Sequence, residues 1–564
     1  MIVAAFRFIY KREAKFGMLA VALMWVLVML TTRSTFFGDT RFFEADIASY
    51  LDGRTPFAKL IDFGHLIWRP LGVLLAFHGD ASYEATLTRV HVAFLSLNLI
   101  ASLACVLMLW ELLRLTKMVA ASVAILVAAA FATTNAFVCL SRSGSPWLPG
   151  LACVLLGCCC TLVAEQRHRT GQAAGTYWIG AVLATALAVV FWVPYLLTAL
   201  PIVCAGLLDR PDIPHGKVVW RAAVRVLPGA AILLILAFGW AVYTLHISNV
   251  HELRAWISAA AHGGERGNPY VRAFFGFPRS FFILGDNGIV WKQFLFHDPF
   301  ARVTALDVAE AGTLILMLFY GTLIWAGWFF VRDGRILGAV IWVTAGVVPT
   351  IALAMLFEAG SVERYLALYP MVFVVMGCLV TCARTPKLLR ILLVLLIMVQ
   401  VGNNLYANFA PRIERISEAE LARIAPLENR PGGATVFGLN QNDKLSEVYE
   451  RPGYATRSDL PQVMLLVPAM YSRSAQWRFF FSKSARERWA GGGEVWVSKR
   501  AWASQPLRQW LWVENDDPRI RWADIHSFAM RLDTDAEAGG DDGFFRIANT
   551  TANRDRIVAA ATQP

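Results

Sequence analysis

Charge is scarce in this chain. Only 16% of its 564 residues are Asp, Glu, Lys or Arg, against 57% hydrophobic, and the mean hydropathy is +0.50. Soluble domains average about 25% charged and about 45–50% apolar. One soluble globule is therefore excluded, and so is disorder. Cysteine is missing wherever a disulfide scaffold would need it. The nine cysteines run from Cys105 to Cys382, all in or beside apolar runs, with none in the long polar loops. That excludes a disulfide framework. The run Cys158-Cys159-Cys160 has no His nearby and reads as buried apolar cysteine. Ionisable side chains are nearly absent from the apolar runs: Glu111 and His246 stand at their ends, and Asn98 and Asn135 are neutral. Ion-coupled transport places such groups inside the membrane. No nucleic-acid motif accompanies the basic surplus of +11, no internal repeat is visible, and no cleavable signal peptide opens the chain.

What is present is a series of long apolar runs. A span needs about 20 apolar residues. Candidates lie near 17–32, 90–113, 118–139, 147–164, 226–246, 312–331, 336–357, 365–383 and 388–406. A further run, 176–208, is too long for one span and carries Pro194 and Pro201. It is either a hairpin of two helices or one tilted, kinked helix. The hairpin gives about eleven spans. With the N-terminus cytoplasmic, every cytoplasmic connection is then basic, including Arg114 and Lys117, Arg167 and Arg169, and Arg384 and Lys387. This is the pattern the positive-inside rule requires. The expected fold is an α-helical polytopic membrane domain, residues 1–406, with external loops 33–89 and 247–311. A C-terminal extracytoplasmic α/β domain, residues 407–564, follows. In it "GATVFGLN" and "GEVWVSKRAW" read as strands, Ile416 to Ile424 as a helix and Gly491-Gly492-Gly493 as a turn.

Acidic residues gather in the first external loop: Asp39, Glu44, Asp46, Asp52, Asp62, Asp80 and Glu84. Arg41 to Leu51 has an amphipathic helical pattern. Leu66 to Phe77 is apolar but too short to span, and fits an interfacial helix. Two surface helices with a carboxylate between them and the membrane make a reaction platform. The aromatic loop 247–311 either covers that platform or hugs the membrane with interfacial Phe and Trp.

Four features carry a family resemblance: the multi-span topology with its first large loop outside, "GDTRFFEAD" after the first span, "GHLIWRPLG" in the same loop, and "SVERYLALYP" before the tenth span. Together with "SRSGSPW" before the fourth span, they make the chain resemble the GT-C integral-membrane glycosyltransferases. It is similar to their protein O-mannosyltransferase branch over roughly residues 17–405. It departs in that Asp39 is followed by Thr40 rather than a second carboxylate, and Arg142 has no carboxylate beside it.

The resemblance implies an inverting transfer of a sugar from a polyprenyl-phosphate donor to an acceptor hydroxyl at the outer face of a membrane. A bacterial inner membrane is the expected location. Partners would be the lipid-linked donor, membrane lipids, and a periplasmic glycan, lipid or protein acceptor, with no nucleic acid. Lipid phosphate is already a good leaving group, so the site needs a base and fixed positive charge. Asp39 is the expected base, with Glu44 and Asp46 behind it; each also has a plain reading, as an N-cap or a solvated helix residue. Arg364, flanked by Glu363 and Tyr365, is the expected phosphate ligand, with His65, Arg69 and Arg142 as further substrate-binding candidates. The bland readings are a snorkelling Arg364, a packed His65 and an Arg69 anchored to headgroups. No metal or other cofactor is called for; a divalent ion would need support that the motifs do not give. The alternative function, a transporter or flippase of a lipid-linked glycan, would show polar groups along a path through the spans.

Overall fold

The structure is a computed structural model. It describes residues 12–32, 39–51, 53, 55–76, 83–209, 215–260, 269–283, 312–332, 337–357, 361–408, 425–438, 461–465, 477–502, 522–540 and 543–562. The chain divides into two compact units, residues 1–297 with 301–411, and residues 298–300 with 412–564.

The first unit is helical. In chain order it holds α1 (Arg12–Thr31), α2 (Asp39–Leu51), α3 (Trp68–Ala76), α4 (Tyr83–Leu115), α5 (Ala121–Ala132), α6 (Asn135–Ser141), α7 (Trp147–Arg169) and α8 (Gly175–Phe191). Then come α9 (Ala199–Cys204), α10 (His215–Thr244), α11 (Val250–Ala260), α12 (Pro269–Phe281), α13 (Thr313–Arg332), α14 (Leu337–Phe357), α15 (Tyr369–Thr381) and α16 (Lys387–Asn408). By length and composition seven helices can cross a membrane, or eight if the bent pair α5–α6 is one span. Three shorter apolar helices, Phe16–Thr31, Gly175–Phe191 and Val193–Leu208, fall below that length. The expectation of about eleven spans thus exceeds the helices that qualify outright. The apolar faces of α1, α10 and α13 stay exposed at Leu19, Leu23, Ile235, Leu236, Leu314 and Met317. Lipid tails satisfy such faces as a core would, because the backbone already pairs within each helix.

The run 176–208 turns back on itself. Helix α8 ends at Trp192, which is extended at φ −153° and ψ 111°, and Pro194 then opens a 3-10 turn. Tyr195 Oη donates to the Trp147 carbonyl at 2.8 Å, at the start of α7. Asp209, at the far end of the run, meets Arg169 at 3.0 Å, at the end of α7. The two arms therefore run up and down beside α7, as a hairpin. Gly150 lets this happen: a Cβ there would strike the Tyr195 ring.

Run 118–139, expected as one span, is broken. Helices α5 and α6 meet at an angle of 66°. Thr133 and Thr134 bond their hydroxyls back to the carbonyls of residues 129–131, competing with the helix. Side chains of α16 take up the carbonyls at the break: Gln400 Nε2 donates to Ala130 at 2.6 Å and Asn404 Nδ2 to Thr133 at 2.8 Å. An apolar environment requires such substitutes for lost backbone bonds.

One end of the bundle is ionic. Buried Glu165 pairs with Arg221 at 2.8 Å, and Asp209 takes Arg169 and, at 3.6 Å, Lys117. Gln166 Nε2 donates to the Leu115 carbonyl at 3.0 Å. These contacts tie the ends of α4 and α7, the hairpin and the start of α10 together on the side where the basic connections lie.

The second unit contains a five-stranded mixed sheet, ordered β2-β1-β3-β5-β4. Its strands are β1 (Ala434–Gly438), β2 (Gln462–Leu465), β3 (Glu494–Ser498), β4 (Thr534–Ala538) and β5 (Phe544–Ile547). Strands β1, β2 and β3 are parallel, while β5 runs antiparallel to both β3 and β4. Helices α17 (Trp477–Ala490), α18 (Trp522–Ala529) and α19 (Thr551–Thr562) accompany it. Phe437, Phe481, Val495, Val497, Phe528 and Ile557 form its main core. The helix expected over 416–424 lies outside the described residues.

Candidate active site

The first loop builds a platform at the end of the bundle opposite the ionic one. Helix α2 is amphipathic, and its Phe43 and Ile47 are buried with Leu60, Trp68, Val90 and Phe94. Trp68 stacks on Phe94, ring centroids 4.5 Å apart, and donates Nε1–H to the Gly144 carbonyl at 2.7 Å. Gly144 N–H in turn donates to Thr40 Oγ1 at 2.9 Å. The "SRSGSPW" turn thus clasps both surface helices. Pro70 falls in the first turn of α3, where the missing N–H costs nothing. Gly72 permits the close approach, since a Cβ there would collide with Ile47 and Phe94.

Between the two helices the turn Asp62–Ile67 carries the polar groups. Asp62 Oδ1 accepts from Gly64 N–H at 3.0 Å. Its other oxygen faces Arg69 Nη1 at 3.5 Å, and Arg69 Nε lies 3.1 Å from Asp46 Oδ2. The Arg69 guanidinium also lies 5.0 Å from the centre of the Phe43 ring. Burial raises the Asp46 carboxyl above the usual range, although Arg69 and Lys59 pull it down. His65 is buried, with its Nδ1 3.3 Å from the Phe191 carbonyl. Burial lowers its pKa to about 4; nearby Asp62 opposes that, while Arg69 and Arg364 add to it. Phe43 and Trp147 border the ring at 5.6 and 6.4 Å.

Arg364 arrives from the other end of the sequence. It sits in a 3-10 helix, Val362–Leu368, which leads directly into α15. Its guanidinium lies 5.5 Å from the centre of the Trp192 ring. Trp192 borders Trp147 at 6.3 Å, and the next residue, Val193, donates N–H to the Gly64 carbonyl at 3.1 Å. The hairpin tip therefore joins the first loop to the Arg364 segment. Tyr365 is buried against Phe277 of α12, 5.5 Å away, and Glu363 is buried beside it. On the other flank Trp256 of α11 packs on Phe63 at 5.2 Å. The described parts of loop 247–311 therefore touch both limbs of the site.

The structure thus gathers Asp46, His65, Arg69 and Arg364. It sends Arg142 and Glu44 elsewhere. The Arg142 guanidinium donates to the carbonyls of Met29 and Thr32, at the end of α1. Glu44 is buried and accepts from His91 Nδ1 at 2.7 Å. Asp39 is the first residue of α2, but its side chain lies outside the described residues. Asp62 and Trp192 were not singled out from the sequence. Asp62 had a signal, standing three residues before His65 and two before a glycine; Trp192 had none. Among the described residues no cluster of His, Cys, Asp and Glu could hold a metal ion.

No protein-family model and no curated protein matches the chain. Solved structures do. It is similar to ArnT from Cupriavidus metallidurans in the apo state, with 13% identity, 97% of this chain and 98% of that one covered, and a TM-score of 0.48. The Archaeoglobus fulgidus oligosaccharyltransferase in the apo form gives 12% identity, 95% and 74% coverage, and a TM-score of 0.45. The S. cerevisiae protein O-mannosyltransferase Pmt1-Pmt2 complex bound to the sugar donor gives 16%, 48%, 38% and 0.33. The chain thus spans well under half of that O-mannosyltransferase chain. All three are GT-C glycosyltransferases, the class the sequence motifs resemble.

Proposed function

We propose that this protein is an integral-membrane glycosyltransferase of the GT-C type. It transfers a sugar from a polyprenyl-phosphate donor to an acceptor hydroxyl at the outer membrane face. The observation that carries the proposal is that the hairpin tip joins the two limbs: Arg364 lies 5.5 Å from the Trp192 ring, and Val193 N–H donates to Gly64 in the turn that carries Asp62 and His65, with Arg69 3.5 Å from Asp62. Motif residues far apart in sequence share one end of the helical bundle, where surface helices and aromatic rings surround them.

The chemistry divides between charges. Arg364 grips the departing phosphate, and its planar fork suits two parallel hydrogen bonds. Trp192 beneath it keeps the guanidinium oriented. Arg69 is partly neutralised by Asp46 and Asp62, so it contributes field rather than a free fork. Asp39, the first residue of α2, takes the acceptor proton, and Asp46, further along the same helix and beside Arg69, is the reserve. Glu44, committed to His91, serves the platform instead. Attack on the anomeric carbon from the face opposite the phosphate would invert it.

In this reading residues 1–406 form the catalytic membrane domain and 407–564 an extracytoplasmic domain. The seven long helices, the bent pair and the three shorter apolar helices make eleven crossings. The N-terminus is then cytoplasmic, in a bacterial inner membrane, with a periplasmic glycan, lipid or protein as acceptor.

Purified protein in lipid nanodiscs, given radiolabelled polyprenyl-phosphate hexoses and pentoses with a membrane extract as acceptor, should release free polyprenyl phosphate and label the acceptor. Asp39→Asn should lower turnover by about a hundredfold to ten-thousandfold while donor binding persists. Full turnover by Asp39→Asn would remove Asp39 as the base. Movement of intact donor across the bilayer without sugar transfer would favour the flippase instead.

A further inference from the structure

We propose that His65 Nε2 accepts a hydrogen bond from a substrate hydroxyl and so orients that hydroxyl, leaving the phosphate to the arginines. The proposal rests on the glycosyltransferase reading and assigns one atom of that site. A backbone carbonyl only accepts, so the contact with the Phe191 oxygen requires that His65 Nδ1 carry the hydrogen. Buried next to two guanidinium groups, the ring stays neutral near pH 7. A neutral imidazole has one N–H, and it is used. Nε2 therefore presents a lone pair.

Three further facts give that lone pair a use. Among the described residues no protein group pairs with Nε2, nor is it one of the sealed polar atoms left without a partner. Its lone pair is thus uncommitted, in a residue that is 9% exposed. Phe43 and Trp147 border the ring, so it cannot swing away without disturbing packed aromatics. The turn that carries it is held from both sides, by Gly64 accepting from Val193 and by His65 N–H donating to the Asp62 carbonyl. A fixed acceptor beside Arg69 and Arg364 repels a phosphate oxygen, which also offers lone pairs, but welcomes an O–H. A hydroxyl of the donor sugar and the acceptor hydroxyl share that chemistry.

His65→Asn tests the atom rather than the residue. Its amide N–H can still reach the Phe191 carbonyl, but nothing replaces Nε2. His65→Gln extends an amide to the Nε2 position and can turn its oxygen outward. With wild-type protein in nanodiscs and the labelled donors named above, His65→Asn should lower kcat/KM for transfer about tenfold, the worth of one hydrogen bond. His65→Gln should recover part of the loss. Affinity for polyprenyl phosphate, and the unfolding temperature, should stay at the wild-type level in both. If the KM of the donor rises, the hydroxyl belongs to the sugar; if that of the acceptor rises, it belongs to the acceptor. Unchanged transfer by His65→Asn would overturn the proposal, as would a parallel loss of polyprenyl-phosphate affinity, which would make His65 a phosphate ligand. A wild-type protein that transfers no sugar would instead overturn the glycosyltransferase reading beneath it.

Discussion

Replacing Arg69 with Met removes the cation that joins α2 to the His65 turn while keeping most of the side-chain stem. Three contacts are lost: Asp46 at 3.1 Å, Asp62 at 3.5 Å, and the Phe43 ring at 5.0 Å. Exposure decides their worth. The Arg69 side chain is 14% exposed, Asp62 19% and Asp46 44%. Asp46 is thus close to a surface pair, worth at most about 1 kcal/mol. Stranding Asp62 approaches the buried case, where removing one partner costs about 3–5 kcal/mol, discounted here to about 1–2 for its remaining solvent. The ring contact adds about 0.5–1 kcal/mol. Arg69→Met should therefore cost about 2–4 kcal/mol of stability near pH 7.

Denaturant unfolding in detergent, followed by tryptophan fluorescence, measures this loss. Adding Asp62→Asn should return about 1 kcal/mol, because it removes the stranded charge. Acid offers an independent check. The Asp46 carboxyl is raised in the folded state, so the folded protein binds its proton more tightly than the unfolded chain does. Such a group favours folding increasingly as pH falls through its folded value towards the unfolded value of about 3.9. Without Arg69 that value rises further, so the deficit of Arg69→Met should be largest near pH 7 and shrink as the pH falls. A deficit below about 0.5 kcal/mol, no recovery with Asp62→Asn, or a deficit that grows in acid would refute the account of the platform.

Arg142→Met should destabilise by about 2–4 kcal/mol, since its guanidinium holds two carbonyls at the end of α1. Polyprenyl-phosphate affinity of the folded fraction should stay unchanged, as ligand-induced shifts in unfolding temperature would show; a loss of affinity at full stability would return Arg142 to the phosphate site. His91→Leu removes one hydrogen-bond donor from the Glu44 carboxylate, which is 1% exposed, and should cost about 1–3 kcal/mol. The double variant with Glu44→Gln should regain at least half of that in the same unfolding assay. If His91→Leu is neutral, the pair does not hold α2 to α4.

The membrane domain was legible in the sequence because lipid leaves the backbone one economical solution, and an apolar run of sufficient length announces it. Surface helices α2 and α3 were legible for a related reason, their amphipathic pattern and their shortness. The hairpin remained open in the sequence. Pro194 marks a break, but only the contacts of Tyr195 with one end of α7 and of Asp209 with the other show that the chain turns back. The break at Thr133–Thr134 was hidden, because threonine is tolerated in a span and the donors that compensate come from Gln400 and Asn404.

The candidate site divides the same way. By itself, the sequence determined which residue types could do the chemistry: carboxylates, a histidine and arginines concentrated in external segments of a chain otherwise poor in charge. Tertiary structure decided which of them stand together. Arg142 and Arg364 look alike as external arginines beside spans, yet one caps α1 and the other lies over Trp192, at the hairpin tip bonded to the His65 turn. Glu44 and Asp46, two residues apart on one helix, face in different directions, towards His91 and towards Arg69. Local pattern fixes the face of a helix. What that face meets depends on how distant spans pack, and here the hairpin tip at Trp192 brings the first loop and the Arg364 segment to one place.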